Sequence, residues 1–286
     1  MFKIISNDNI SENLHKMVVL APRIARSRKP GQFVIVRLTE GEERIPLTIS
    51  DADPEAGTIT LFVQAAGAST RNIVSTEAGG SIRDVAGPLG NPSRIIFWGR
   101  VICVGGGVGT AVLLPLARAL REAGNDVTTI IGARSSRHII LSDELKRISN
   151  ALIVTTEDGS LGTKGFVTTP LANLLADPEH VPQAVFAVGP VPMMKAIAEM
   201  TRIKAIETIA SLNPIMIDGT GMCGGCRVMI GEEIRFACVD GPEFNAHLVD
   251  FDGLSDRMSS YRAEETLNFK AAECKIGLTT KPCVKS

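Results

Sequence analysis

The chain has 286 residues, 44% of them hydrophobic, with 30 Lys and Arg residues, 31 Asp and Glu residues and a formal net charge of −1. This length suits roughly two domains, and the apolar fraction is high enough for buried cores, which excludes an intrinsically disordered chain. Because the basic residues are scattered and form no stripe, we predict no nucleic-acid partner.

The N-terminal sequence MFKIISNDNISENLHK lacks the long apolar stretch of a signal peptide. The longest run without a charged residue, 101–117, is glycine-rich and shorter than the roughly 20 residues of a membrane-spanning helix. We therefore expect no membrane span and a cytoplasmic location. Three of the six cysteines lie between positions 223 and 238, which suits metal ligation in a reducing compartment better than a disulfide scaffold.

The region 1–97 is predicted to form an antiparallel β-barrel, because short segments rich in Val, Ile and Thr alternate with turns. The predicted strands are VVLAPRI, GQFVIVRL, RIPLTIS and TITLFVQAA. In the third of them, Arg44, Thr48 and Ser50 add one cation and two hydroxyls to an apolar strand. The turn Gly67-Ala68-Ser69-Thr70 precedes a predicted helix and suits a phosphate group. Both features are also ordinary in strands and helix caps, so the residues alone leave their role open.

The region 98–210 is predicted to form a parallel, doubly wound sheet, because buried-strand patterns alternate with helical patterns. The strands are RVICV, VTTIIGA, ALIVTTED and AVFAVG, and the helices lie around TAVLLPLARALREAG, SDELKRIS, TTPLANLLAD and PMMKAIAEM. Where the first strand meets the first helix, a glycine-rich turn brings backbone N–H groups to the helix N-terminus. We expect this turn to bind a nucleotide pyrophosphate, although tight packing also accounts for such glycines. The candidates are Gly106, Gly107, Gly109 and Thr110.

The ends of the second and third strands bear on the identity of the nucleotide. Arg134 suits a 2′-phosphate, and so NADP(H), but it is equally able to bind the pyrophosphate or to lie in solvent. Glu157 and Asp158 suit a ribose hydroxyl. The residues therefore leave the choice between NADH and NADPH open. The fourth strand is followed by Gly189, Pro190 and Met193. We expect these residues to form a wall of the nicotinamide pocket, although an ordinary turn beside a methionine-lined helix also accounts for them.

The segment DGTGMCGGCRVMIGEEIRFACVD, residues 218–240, is the most specific pattern in the chain. Cys223, Cys226 and Cys238 match the last three positions of the plant-type [2Fe–2S] spacing, and Asp218 stands where the first cysteine is expected. A carboxylate is able to ligate iron, but Asp218 also suits a turn. The alternatives are a zinc site with the same four ligands and three plain thiols. The neighbouring glycines favour the cluster, because backbone N–H groups must turn towards its sulfur atoms.

The predicted barrel, nucleotide-binding sheet and cysteine segment, in this order, resemble the ferredoxin–NADP reductase superfamily. The closer likeness is to the electron-transfer subunit of dihydroorotate dehydrogenase, and it is carried by RIPLT, GAST, GPLG, VGGGVGTAVLLPLARAL, GARS, TEDGSLGTKG and VGPVPMM. It covers residues 1–255 and leaves out the tail, 256–286, with Cys274 and Cys283.

Two positions depart from that pattern. Val188 stands where many members of the superfamily have a cysteine before Gly-Pro, and Asp218 replaces the first cluster cysteine. An aspartate at the second position is similar to the small subunit of the electron-bifurcating NADH-dependent reduced ferredoxin:NADP oxidoreductase and to the related sulfide dehydrogenase subunit. Because of Asp218, the chain resembles that small subunit more than the dihydroorotate dehydrogenase subunit, and both belong to the same group.

The resemblance implies an FAD-binding barrel (1–97), an NAD(P)-binding domain (98–210) and a [2Fe–2S] segment (211–255). Its FAD would contact Arg44, Pro46, Leu47, Thr48 and Ser50, with the diphosphate at Gly67, Ser69 and Thr70. It also implies a subunit that passes electrons between NAD(P)H, FAD and the cluster, in a heterodimer with a larger FAD and [4Fe–4S] subunit that serves ferredoxin.

Electron transfer of this kind needs no general acid or base, and we predict no catalytic side chain. Two alternatives stand beside this interpretation. One is the dihydroorotate dehydrogenase electron-transfer subunit itself, and the other is a zinc-bearing, nucleotide-sensing regulator without enzymatic activity.

Overall fold

The computed structural model describes residues 1–179 and 181–260, so Cys274 and Cys283 lie outside the described residues. Two seven-stranded sheets and one two-stranded hairpin make up its β-structure. Among the described residues, no helix combines the length and the apolar character needed to cross a membrane.

The N-terminal part is a nearly closed antiparallel barrel, as predicted. Its strands are β1 (Phe2–Ser11), β2 (Leu14–Leu20), β3 (Phe33–Arg37), β4 (Ile45–Asp53), β5 (Thr58–Gln64), β6 (Ser81–Ile82) and β7 (Asp84–Leu89), accompanied by helices α1 (Pro22–Ser27) and α2 (Ala68–Val74). The strand order is β6-β1-β2-β5-β4-β3-β7. Fully buried side chains such as Ile4, Met17 and Ile49 fill its interior.

The predicted strand VVLAPRI is wrong in its second half, because β2 ends at Leu20 and α1 begins at Pro22. A proline in the first turn of a helix loses no hydrogen bond, and its fixed φ suits the helix. It therefore begins α1 here, and the strand does not continue through it.

The second part is the predicted doubly wound parallel sheet. Its strands are β8 (Arg100–Gly106), β9 (Asp126–Ala133), β10 (Ala151–Thr156), β11 (Thr163–Lys164), β12 (Ala184–Val188) and β13 (Glu207–Ser211), and its helices are α3 (Gly109–Glu122), α4 (Ser142–Ile148), α5 (Thr168–Ala176) and α6 (Val191–Arg202). The central strand β8 is buried almost throughout, as expected for a parallel strand covered on both faces. The carboxyl ends of β8, β9, β10 and β12 face the barrel across a cleft.

The cysteine segment continues from β13 and packs on both larger parts. It contains the hairpin strands β14 (Arg227–Ile230) and β15 (Glu233–Phe236), the strand β16 (Glu243–Asn245) and the helix α7 (Phe251–Ser259). Strand β16 pairs antiparallel with β13 and so extends the parallel sheet by one strand. Helix α7 extends beyond residue 255, where this segment is predicted to end. The domain bounds remain a prediction.

Candidate functional site

A cleft of about 1120 Å³ separates the barrel from the carboxyl ends of the parallel strands. This volume slightly exceeds the range of about 300–1,000 Å³ that is usual for small-molecule sites. The predicted cofactor residues that line it are Pro46, Leu47, Thr48, Ser50, Gly106, Gly107, Gly109, Arg134, Glu157, Gly189, Pro190 and Met193. The structure therefore brings together residues from the strand β4 and from four turns of the parallel sheet.

The turn between β8 and α3 fits a phosphate group. Gly107 has a left-handed φ of 56°, and a side chain there would meet no protein atom within 4 Å, so a ligand can approach its backbone. Gly109 begins α3 directly behind it, and a Cβ there would lie 2.8 Å from the carbonyl carbon of Val188. The residue before the helix, Val108, supplies no side-chain cap. The start of α3 thus lines the cleft at the place where the sequence predicts a pyrophosphate.

The two acidic candidates at the end of β10 have different environments. Asp158 accepts hydrogen bonds from the Ser160 hydroxyl (2.7 Å) and backbone N–H (2.9 Å), and these bonds hold its pKa below its usual value. Asp158 therefore organises the turn. Glu157 instead lines the cleft, as does Arg134 on the neighbouring strand end.

On the barrel side, the predicted flavin residues separate into three groups. Pro46, Leu47 and Thr48 line the cleft from β4. Ser50 is 1% exposed, and its hydroxyl donates to the carbonyl oxygen of Ala111 in α3 at 2.6 Å. Arg44 lies outside the cleft and lines a second cavity, of about 360 Å³, together with Asp218.

The start of α2 carries the hydroxyls predicted for a diphosphate. The Ser69 hydroxyl donates to the Glu43 carboxylate at 2.6 Å, so it already bonds an anionic oxygen. The Thr70 hydroxyl accepts from the backbone N–H of Gly67 at 3.0 Å and so caps the helix. A Cβ at Gly67 would meet nothing within 4 Å. These residues lie outside the lining of the cleft, and both hydroxyls already have partners, since Thr70 also donates to the carbonyl oxygen of Gly67 at 3.1 Å. The diphosphate contact therefore stays a prediction, whereas the β4 residues that line the cleft fit a flavin ring.

In the cysteine segment, the sulfur atoms of Cys226 and Cys238 are 3.1 Å apart, and both residues are 1% exposed. Burial, followed by the neighbouring Cys226 thiol, raises the pKa of Cys238 to about 12. Cys223 is exposed, and its sulfur accepts a hydrogen bond from the N–H of Gly225 at 3.4 Å. Within the described residues, no three His, Cys, Asp or Glu side chains stand in a metal-binding arrangement. The structure thus brings two predicted ligands together and leaves Cys223 at the surface.

The fourth predicted ligand, Asp218, folds over the same loop. Its carboxylate accepts the backbone N–H groups of Thr220 and Cys223, both at 2.9 Å. The bond from Thr220 is the main cause of the low pKa of this carboxyl group. Since a carboxylate has about four lone-pair sites, these two bonds leave room for a metal. The donor set of three thiols and one carboxylate, in a loop with its backbone amides turned towards Asp218 and the sulfur of Cys223, fits an iron–sulfur cluster.

Helix α7 supports this loop in a way that sequence reasoning missed. The guanidinium of Arg257 donates to the carbonyl oxygen of Gly225, between two of the cysteines, at 3.1 Å. No motif marks Arg257, because the contact spans 32 positions.

An apolar cluster connects the cleft with the cysteines. Phe33, on β3, lies opposite Thr48 in the barrel sheet, and it packs in one cluster with Met216, Cys226 and Cys238. Phe33 and Met216 also line the cleft. Sequence reasoning missed both residues. Met216 follows the carboxyl end of β13, where the rule on ligand sites in open sheets offers a signal, but nothing distinguishes Phe33 from a core residue.

Comparisons with known proteins agree with this arrangement. The family model of the iron-sulfur cluster binding domain of dihydroorotate dehydrogenase B matches residues 213–250. Over 268 residues the chain is 45% identical to a dihydroorotate dehydrogenase B (NAD(+)) electron transfer subunit homolog of Thermotoga maritima, covering 94% of each chain. It is 31% identical over 254 residues to the electron transfer subunit of Fusobacterium nucleatum, covering 86% of this chain and 96% of the relative.

Solved structures give the same grouping. One chain of the NADH-dependent reduced ferredoxin-NADP oxidoreductase, a structure described in terms of flavin-based electron bifurcation, matches with a TM-score of 0.89 and 44% identity. The match covers 95% of this chain and 97% of the other. The cytochrome P450 reductase GcoB of Amycolatopsis matches with a TM-score of 0.59 and 18% identity, over 72% of this chain and 66% of the other, which shows a shared fold.

Proposed function

Because this chain belongs to the family of dihydroorotate dehydrogenase B electron transfer subunits, we propose that it passes electrons between NAD(H), FAD and a [2Fe–2S] cluster within a larger oxidoreductase. The observation that carries the proposal is the continuity of the site. Phe33 pairs with Thr48 on the flavin side and packs with Cys226 and Cys238 on the other. One apolar layer therefore separates the two predicted redox sites.

Different residues of this chain bind NAD(H), FAD and the cluster. The turn at Gly107 and Gly109 holds the pyrophosphate of NAD(H), and Glu157 accepts from the ribose of its adenosine half. Pro46, Leu47 and Thr48 hold the flavin ring on β4. The FAD diphosphate would be held at Gly67, Ser69 and Thr70, and the cluster would be held by Asp218, Cys223, Cys226 and Cys238.

When bound, NADH supplies two electrons as a hydride, FAD accepts the pair and releases the electrons singly, and the cluster accepts one at a time. The chain contributes position and environment. The buried sulfur atoms of Cys226 and Cys238 exclude water from the side that faces Phe33. A dry contact of this kind strengthens the electrostatic interactions that set redox potentials.

An anaerobic visible spectrum with iron and flavin analysis tests the proposal. We expect a yellow-brown protein that is bleached by a nicotinamide nucleotide. Glu157 disfavours a 2′-phosphate and Arg134 favours one, so parallel titrations with NADH and NADPH identify the nucleotide. A colourless protein without flavin or iron would contradict the proposal and favour a zinc-bearing regulator.

A larger partner subunit follows from the relatives, which are electron transfer subunits of a larger enzyme. We infer that this partner carries FAD and [4Fe–4S] clusters and serves ferredoxin, as in an electron-bifurcating NADH-dependent ferredoxin:NADP oxidoreductase. The match at 44% identity supports this inference. The dihydroorotate dehydrogenase complex is the second candidate, because relatives at 31–45% identity carry that name. The enzyme that co-purifies distinguishes the two.

The surface around the cysteine loop suits contact with this partner, because apolar side chains lie exposed beside the cluster ligands. Met222 is 88% exposed, next to Cys223, and Ile217 and Val239 are exposed beside the other ligands. Electrons leaving the cluster must cross this surface if the partner accepts them.

Met222→Glu is expected to weaken the affinity for the larger subunit by about tenfold or more, because it buries an unpaired carboxylate in the interface. Ile203→Glu is the matched control: Ile203 is also 88% exposed, but it lies at the end of α6 in the nucleotide-binding domain. Titration of each variant against the separately purified larger subunit measures the difference. Equal affinities of the two variants would show that the partner docks elsewhere.

A further inference from the structure

Two side-chain contacts join the flavin strand β4 to the nucleotide helix α3. The Ser50 hydroxyl donates to the carbonyl oxygen of Ala111 at 2.6 Å. The Asp51 carboxylate accepts from a single nitrogen of Arg118, at 3.1 and 3.2 Å to its two oxygens. Asp51 also accepts from Arg28, just after α1, at 3.2 Å.

The residues that make these contacts lie within a few positions of the predicted flavin site on β4 and the predicted nucleotide site on α3. On β4, Thr48 lines the cleft and Ser50 and Asp51 follow it. On α3, Gly109 lines the cleft and the acceptor Ala111 lies in the same first turn. Successive residues of a strand normally point to opposite faces. The pairing of β4 with β5 shifts register between Ile49 and Asp51, and such an irregularity lets neighbouring side chains reach the same partner.

We call Ser50, Asp51 and Arg118 the β4–α3 clamp. The geometry points to a positioning role for this clamp: it sets the distance between the nicotinamide and the flavin. This distance in turn sets the rate of hydride transfer between them. The inference rests on the proposed function. Neither side chain of the ion pair needs to touch a cofactor, because each acts through the element on which the cofactor rests.

The charges around Asp51 make the clamp sensitive to the loss of one carboxylate. Arg28 belongs to the barrel, whereas Arg118 belongs to the nucleotide-binding domain. Burial lowers the pKa of Arg28, the Asp51 carboxylate opposes that shift, and the nearby Arg118 adds to it. Without the carboxylate, two guanidinium groups from different domains face each other. Asp51→Asn therefore replaces an attraction between the domains with a repulsion.

The experiment compares Asp51→Asn with Asp84→Asn in the FAD-loaded protein. Both carboxylate side chains are 44% exposed and paired with arginine, but Asp84 pairs with Arg37 inside the barrel (2.7 Å) and does not join two domains. Stopped-flow bleaching of the flavin by NADH gives the transfer rate at saturation and the nucleotide Kd separately. We expect Asp51→Asn to lower the rate about 10- to 100-fold, because a displacement near 1 Å has this effect, with the Kd changed by less than about twofold. Asp84→Asn should match the wild type in both.

A second pair of measurements separates positioning from general damage. The double variant Asp51→Asn/Arg118→Gln should recover part of the rate, since it removes the repulsion. In the cofactor-free protein, trypsin should cleave the interdomain connection 90–99 faster in Asp51→Asn than in Asp84→Asn. If Asp51→Asn does not fold, Arg118→Gln alone carries the same comparison.

Equal hydride-transfer rates in Asp51→Asn and Asp84→Asn would overturn the inference that the clamp positions the cofactors. A double variant that is slower than Asp51→Asn would also overturn it, since repulsion would then not be the cause. If the wild-type flavin is not bleached by NADH at all, the proposed function fails instead, and the trypsin comparison still decides whether the contacts join the two domains.

Discussion

Asp218→Asn is expected to lose the iron–sulfur cluster while FAD stays bound, and Asp218→Cys is expected to keep the cluster. The reason lies in the two roles open to the carboxylate. It caps the loop by accepting the N–H groups of Thr220 and Cys223, and it stands where the cluster spacing requires a ligand. Asparagine has a single amide oxygen, so it preserves one of these two bonds and removes the second role, whereas cysteine supplies a ligand and loses most of the capping.

The physical argument rests on what each side chain provides. Asparagine is a favoured residue in such turns, and its amide oxygen accepts a backbone N–H as aspartate does. It carries no negative charge, so it is a poor ligand for a cluster that is otherwise held by thiolates. Cysteine supplies the thiolate of the plant-type set but accepts hydrogen bonds weakly. The pair of variants therefore separates ligation from loop capping, which Asp218→Ala alone would not.

The iron-to-flavin ratio and the low-temperature electron paramagnetic resonance spectrum of the reduced protein measure the outcome. Asp218→Cys should retain iron and show a changed spectrum, because the ligand atom changes from oxygen to sulfur. FAD content is the internal control, since the predicted flavin residues lie on β4 and α2. Full cluster occupancy in Asp218→Asn together with loss in Asp218→Cys would show that the carboxylate only stabilises the turn.

The sequence predicts the parallel sheet well because each element there carries a continuous local signal. Strand β8 is an unbroken apolar run that ends in glycine, and α3 ends where Gly124 adopts a left-handed φ of 89°. Both patterns are complete within about 20 residues and need no knowledge of the rest of the fold. The glycine turn between them was recognisable for the same reason.

The barrel was harder, because its edges have weak patterns. Strand β1, FKIISNDNIS, is rich in polar residues and has only one buried residue, and its pairing with β2 contains two register shifts. Neither alternation nor an apolar run marks it as a strand. Its partners β2 and β6 hold it in place, and that information lies in the tertiary structure.

The candidate site shows the same division between local and distant information. The spacing of the cysteines is local and specified the candidate ligands. Ser50 is predicted from its strand to contact the flavin, and the structure adds a hydrogen bond from its hydroxyl to the carbonyl oxygen of Ala111, 61 positions away. Phe33 connects the cleft with the cysteines only because β3 pairs with β4 and the cysteine segment packs on β3. Such roles arise from the meeting of three units, and no single segment records them.

Gly109→Ala is expected to weaken NADH binding by about 10- to 100-fold and to lower the melting temperature, while leaving FAD bound. A Cβ at this position would lie 2.8 Å from the carbonyl carbon of Val188 and 3.0 Å from the Cα of Gly189, and closer still to the carbonyl oxygen of Val188. These are backbone atoms, which cannot rotate away as a flexible side chain can. Either the start of α3 or the turn after β12 must move, and both line the cleft.

The size of the effect follows from how a pyrophosphate binds at this turn. Its oxygens need the backbone N–H groups of this turn in one orientation, so a displaced turn loses a hydrogen bond to a charged group, which is worth about 1.5–3 kcal/mol or about 10- to 100-fold in affinity. Gly79→Ala is the control, because Gly79 has a left-handed φ of 91° and an added Cβ meets no atom within 4 Å. It should cost about 1–2 kcal/mol of stability through backbone strain and leave the NADH affinity unchanged.

Calorimetric titration with NADH and thermal unfolding, each on the FAD-loaded variants, distinguish the two glycines. A lowered melting temperature in both variants, with weaker NADH binding in Gly109→Ala alone, is the expected result. Unchanged NADH affinity in Gly109→Ala despite a lowered melting temperature would mean that the glycines serve the packing of α3 against β12 and that the pyrophosphate binds elsewhere. Both tight packing and the approach of a ligand require glycine at this turn. Gly109→Ala distinguishes these two roles, because the atoms that an added Cβ would meet are backbone atoms that line the cleft.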